Sequence, residues 1–200
     1  MNDKAPSGPE HHLARWAHAW AAAASQTYET IESISIPESP AKELGRRDAM
    51  TMVLVDAVRN VLRGAEQAIG KDSDIVRRFN EEHPTIKTLR DRFEHYEDYI
   101  RGTGDAQRTG RKRKGNPLEL ETAGIEVAAS EGGGPEGHFV HISVIERATD
   151  DQATKVVYKA PTRQITTAVR RLARDVLAET GLLDERHLAA CEICSNPDGI

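Results

Sequence analysis

The chain has 200 residues, 38% of them hydrophobic and 30% charged, with a formal charge of −5. That length builds one domain with a full core, or one domain and a small appendage; the charged, modestly apolar composition suits a helical protein better than a compact β-sandwich. The negative balance excludes a general nucleic-acid coating protein while leaving room for local basic patches, and two cysteines exclude a disulfide framework.

Residues 1–9 are polar and read as a disordered lead-in without the apolar core of a secretory signal. The Ala21–Ala24 run is too short to span a bilayer, so the expectation is a cytoplasmic protein with reduced thiols and no membrane contact. A first helix is predicted from about Glu10 to Ile31, with Leu13, Trp16, Ala17, Trp20, Ala24, Tyr28 and Ile31 as its apolar stripe. Pro37 and Pro40 bound a loop. A second helix follows from about Ala41 to Ile69. Only Thr51 and Asp56 interrupt its centre, Met50 to Val58, which predicts the most buried helix, and Gly70 ends it. Ser73 or Asp74 caps the next helix, carrying Ile75, Val76 and Phe79, and Pro84 restarts it through Gly102.

The pattern changes at Gly102. A basic loop leads into strand-like runs at Leu118–Val127, Phe139–Ile145 and Lys155–Tyr158, with Val140, Ile142 and Val144 on one face of the middle run. Gly132-Gly133-Gly134-Pro135 and Asp150-Asp151 supply turns; no helix follows the glycine run, so it is not a phosphate loop. After Pro161 a last amphipathic helix carries Ile165, Ala168, Val169, Leu172, Val176 and Leu177 and stops near Gly181. The expected fold is mainly α, of α+β class. An up-and-down helical bundle over 10–102 is closed by a last helix at 161–181, with a basic loop and small antiparallel β-meander inserted at 103–160. The tail, 182–200, has no predicted element.

The segment Leu89–Tyr99 packs arginine, acid, histidine and tyrosine together. Ile86, Leu89, Phe93, Tyr96 and Ile100 share one face of a continuous helix. At about 100° per residue, His95 then lies roughly 140° from the centre of that face. Asp91 is one turn before it and Tyr99 one turn after, so a titratable group with polar neighbours faces water or a partner subunit.

The spacing Arg90-x4-His95, on the third long helix of a bundle, resembles the HEPN superfamily. Members of that family are small helical domains, commonly dimers, and many are metal-independent endoribonucleases of toxin–antitoxin, anti-phage or RNA-processing systems. The resemblance implies that Arg90 and His95 are catalytic and that Asp91 takes the polar position after the arginine, where the family usually has asparagine. Some toxin members carry a tyrosine two residues after the histidine. Glu97 stands there in this chain, with Tyr96 and Tyr99 nearby, so that role is not carried over and Tyr99 is named only as a supporting residue. The likeness covers roughly 10–102 and 162–180.

The chemistry is coherent. Metal-free RNA cleavage needs a base for the 2′-hydroxyl or an acid for the 5′-oxygen, and histidine suits both. Arginine offers a planar fork of donors to the phosphate as charge develops. One straight helix does not converge Arg90 with His95, whereas a two-fold dimer pairing the same patch with itself can. In the simpler reading, Asp91 with His95 and Arg90 with Glu94 are ordinary surface pairs four residues apart, each worth about 0.2–0.5 kcal/mol.

Arg108, Arg111, Lys112, Arg113 and Lys114 form a basic cluster able to follow a phosphate backbone, though no aromatic residue is interleaved to stack bases. His187-x3-Cys191-x2-Cys194 has metal-like spacing at its cysteine end but only three soft ligands, and a fourth would have to come from elsewhere, such as water or a distant histidine, so no metal or other cofactor is assigned and the two thiols read as unremarkable. His11, His12 and His18 sit near a helix start and receive no role. Trp16 and Trp20 read as packing anchors.

The leading expectation is a dimeric, HEPN-like RNA-acting protein, a metal-independent ribonuclease of toxin or defence type with RNA and an antitoxin or other protein as partners. The alternatives are a non-catalytic dimeric interaction module and a nucleotide-binding HEPN-like domain without catalysis.

Overall fold

The structure, a computed structural model, describes residues 8–34, 40–107, 125–131, 138–147 and 153–200. Most of the predicted lead-in, the basic cluster 108–114, residues 118–124 and the turns at 132–135 and 150–151 lie outside the described residues. The fold is mainly helical with a small antiparallel sheet before the last long helix, in agreement with the expected class.

Helix α1 spans Pro9–Ser33 and α2 spans Pro40–Ile69. They run antiparallel. Arg47, near the start of α2, donates to the Ile34 carbonyl at the end of α1 at 2.7 Å, while Gly64, near the end of α2, lies against Ala17 and Trp16 near the start of α1. A Cβ on Gly64 would sit 2.8 Å from the Ala17 Cβ and 2.9 Å from the Trp16 ring, so the close approach of the two helices requires glycine there. The same closeness corrects the predicted stripe of α1. Its buried face is Ala14, Ala17, Ala21, Ala24 and Ile31. Small side chains occupy the seam, and Trp16 is displaced to the rim with 38% of its surface exposed. The centre of α2 is likewise buried on one face only. Leu54, Val55, Val58, Val61 and Leu62 are in the core, while Met52 and Val53 reach solvent.

Ser73 caps α3 (Asp74–Glu82), its Oγ accepting from the Val76 amide. Pro84 opens α4, Pro84–Glu94. The predicted continuous helix through Gly102 does not form. His95 leaves helical geometry with φ −111° and ψ 25°, and a short α5 (Tyr96–Ile100) restarts after it. Gly102, at φ 75°, turns the chain into a 3-10 turn over Asp105–Gln107. The side chain of buried Gln107 accepts from the Gly104 amide and donates to the Tyr99 carbonyl, both at 3.0 Å.

Strands β1 (Ile125–Glu131), β2 (His138–Arg147) and β3 (Ala153–Pro161) form an antiparallel meander in sequence order. Val140 pairs with Ala129 and Ala160, and Val144 with Ile125 and Val156. Val140, Ile142 and Val144 are fully buried, as their alternation predicted. The sheet rests on α2, α4 and α6. Helix α6 (Thr162–Glu179) starts where Thr162 Oγ1 lies 2.9 Å from the His138 carbonyl and 3.2 Å from Glu32, at the end of α1. Two further short helices, α7 (Glu185–Ala190) and α8 (Glu192–Ser195), occupy the segment for which the sequence predicted no element. No helix among the described residues is long and apolar enough to cross a membrane.

Candidate functional site

His95 sits at the break between α4 and α5, its side chain 41% exposed and its Nδ1 3.6 Å from Asp98 Oδ2. It lines a shallow pocket of about 340 Å³ with Met52, Phe93, Glu94, Tyr96, Glu97 and Asp98. Arg59 on α2 borders this face, held by both Asp56 and Glu94 at 3.2 Å.

Arg90 is engaged elsewhere. Its guanidinium donates to Glu66 Oε1 on α2 at 2.8 Å and to Asp91 Oδ1 at 2.8 and 2.9 Å, and the side chain is only 13% exposed. Burial disfavours the charged form, but the hydrogen bonds to Glu66 and Asp91 outweigh it and raise the Arg90 pKa. Asp91 therefore serves Arg90, while Asp98 is the acid beside His95. A phosphate reaching this guanidinium must displace two carboxylates.

Tyr99 does not support His95. Its amide still donates to the His95 carbonyl at 3.0 Å, one turn on, but its phenol enters the core and is 1% exposed. Its hydroxyl accepts from the Ala106 amide at 3.4 Å, and burial pushes the phenol pKa up. Gly104 packs on the ring so closely that a Cβ would fall 2.6 Å from it. Arg92, which the spacing rule passed over, lies 5.0 Å from the Tyr99 ring centroid and 5.6 Å from that of Tyr158, and donates to Glu146 Oε1 at 2.8 Å. It fastens α4 to the sheet.

The chain matches no family model, no curated protein and no solved structure.

A second cluster joins the two ends of the described chain. His18 on α1 places Nε2 3.0 Å from Cys191 Sγ, and His187 Nε2 lies 3.3 Å from Cys194 Sγ. The four donor atoms all fall within 4.8 Å of one another. The His18 and His187 rings meet edge to face with centroids 5.3 Å apart. Burial and then His187 push the His18 pKa down; burial and then the Cys191 neighbour push the Cys194 thiol up to about 12. The sequence spacing of 187–194 supplied three ligands and lacked a fourth. His18, given no role from sequence, stands beside those three, and no local pattern links a position near one end of the chain to a motif near the other.

Proposed function

We propose that this chain is a non-catalytic helical interaction module whose α2–α4–α5 face binds a protein segment that is both cationic and apolar. The observation that carries this reading is the make-up of the surface around His95. Met52 and Val53 are 39% and 42% exposed on α2, and Met52 shares the pocket with Phe93 and Tyr96. Glu97 and Asp98 line the pocket beside them, and Glu94 and Asp56 at its edge share the cation Arg59. Exposed apolar side chains inside a polar rim suit protein association, and the sign of the rim selects a basic partner. The acids also disfavour an RNA backbone and the self-pairing of this face in a two-fold dimer. Titration with a Leu/Lys amphipathic helical peptide tests the reading. Binding should weaken with salt, be lost in Met52→Asp and fall in Glu97→Lys/Asp98→Lys. Absent binding, or binding equal in all variants, rejects it, and a dimer broken by Met52→Asp would assign the face to a second copy.

A second reading rests on the His95 imidazole, half-exposed in an open pocket. In the HEPN-like case that imidazole transfers the proton in metal-independent RNA cleavage, and dimerisation releases Arg90 from Glu66 and Asp91. Cutting of RNA by the wild type in chelator, lost in His95→Ala, would favour it over the interaction module.

A further inference from the structure

We propose that His18, His187, Cys191 and Cys194 form a closed, four-ligand structural site for a zinc ion. The cluster holds two imidazole nitrogens and two thiol sulfurs and no carboxylate, the donor set of structural zinc. Zinc bonds of about 2.0–2.3 Å in a tetrahedron place ligand atoms ~3.3–3.8 Å apart. The two nitrogen–sulfur separations, 3.0 and 3.3 Å, are close to that spacing, and all four donor atoms lie within 4.8 Å of one another. Four protein ligands leave no open position for water or substrate, so the site is structural rather than catalytic.

The local fold needs such a fastening. Helices α7 and α8 have six and four residues, far below the roughly 12–15 at which an isolated helix becomes stable in water. Beyond them the last residues are pinned to α6. Arg170 donates to the Asn196 carbonyl at 2.7 Å and to the Gly199 carbonyl at 3.1 Å, Arg171 pairs with Asp198 at 2.6 Å, and Arg163 donates to the Ile200 carbonyl at 2.7 Å. Before them, Asp184 caps α7 by accepting from the His187 amide at 2.7 Å. The 187–194 segment is thereby presented to α1 with its ligands converging. Thiol–imidazole hydrogen bonds are weak and give little reason for four such side chains to gather. A shared metal does, and its binding free energy would be the docking free energy of the segment on α1.

The test is metal analysis of full-length protein produced with zinc in the medium, together with cobalt substitution. One zinc per chain should survive dialysis. Cobalt should give the intense visible absorption of a tetrahedral thiolate site. His18→Ala should weaken binding by more than the ~100-fold that losing an outer-shell partner costs, and His12→Ala, an exposed neighbour on α1, should change nothing. Chelation should lower the melting temperature of the wild type reversibly and that of His18→Ala by less. His18 lies on a long helix that circular dichroism can verify, so its variant reports on the site even if Cys194→Ala fails to fold. Protein isolated without metal that takes up none, a Cys191–Cys194 disulfide in its place, or an unaltered cobalt spectrum in His18→Ala would each overturn the four-ligand site.

Discussion

Arg92 on α4 and Glu146 on β2 form a 2.8 Å ion pair that the Tyr158 hydroxyl joins at 2.9 Å, so one carboxylate gathers a helix and two strands. Both side chains are about one-fifth exposed. Arg92→Ala removes the pair and the stacking over Tyr99 and Tyr158, and leaves Glu146 short of a cation. We expect a loss of about 2–3 kcal/mol in denaturant unfolding. Arg92→Lys should recover only part of it, since ammonium lacks the planar fork. An unchanged midpoint in Arg92→Ala would show that the sheet is held to α4 by its apolar contacts alone.

Two glycines of α2 should respond with opposite signs. Among the described residues Gly45 has no atom within 4 Å of where a Cβ would stand, so Gly45→Ala should stabilise the helix by about 0.5–1 kcal/mol. Gly64→Ala drives a methyl into Ala17 and Trp16 and should cost about 1–3 kcal/mol. Urea midpoints of the two variants decide it. A stabilised Gly64→Ala would mean that α1 can move away from α2 cheaply.

That seam also shows what the sequence could and could not convey. Periodicity locates the long helices and the second and third strands, because burial of one face imposes a period that survives any tertiary arrangement, while the first predicted strand, Leu118–Val127, shares only residues 125–127 with β1. On α1 periodicity places Ala17, Ala24 and Ile31 on the buried face, whereas Trp16 is exposed and Ala14 and Ala21 fill the seam instead. The pattern Ala14, Ala17, Ala21 and Ala24 has equally good spacing, and its smallness is what permits the approach to Gly64. Tyr99 failed for a related reason. The sequence predicts an unbroken helix there, and the departure at His95 carries no glycine or proline to announce it. His18 was beyond local reasoning altogether, because its partners are brought to it by α6 and the docking of the last residues.

His83, between α3 and α4, gives a pH dependence. Its Nδ1 is buried with no hydrogen-bond partner among the described residues, and its ring packs on Phe79 with centroids 5.0 Å apart. Burial, the largest cause, and Arg171 lower its pKa below 6.5, and together they exceed the opposing pull of Glu82. The folded state therefore binds the proton less tightly than the unfolded chain. The stability contribution is whole above the unfolded pKa and declines as pH falls from there towards the lowered folded value. His83→Gln should flatten the stability profile between about pH 7 and pH 5 relative to wild type. Parallel profiles for the two proteins would place the titration elsewhere.

Arg90 separates the two functional readings. Its bonds to Glu66 and Asp91 cross-link α4 to α2 in a half-buried setting. A double-mutant cycle with Glu66→Ala should give a coupling of about 1–2 kcal/mol. For an interaction module, Arg90→Ala lowers stability and leaves binding to the Leu/Lys peptide unchanged, since Arg90 does not line the His95 pocket. For a ribonuclease, Arg90→Ala removes charge stabilisation worth roughly 10²–10³ in rate. Glu66→Gln is then the decisive variant. It keeps the shape of the pair but removes a charge that competes with phosphate for the guanidinium. A ribonuclease should cut RNA faster when Glu66 is neutralised, whereas an interaction module should show only the lost stability. Increased cleavage in Glu66→Gln would sink the non-catalytic reading, and its absence at wild-type folding would leave Arg90 as a structural clamp.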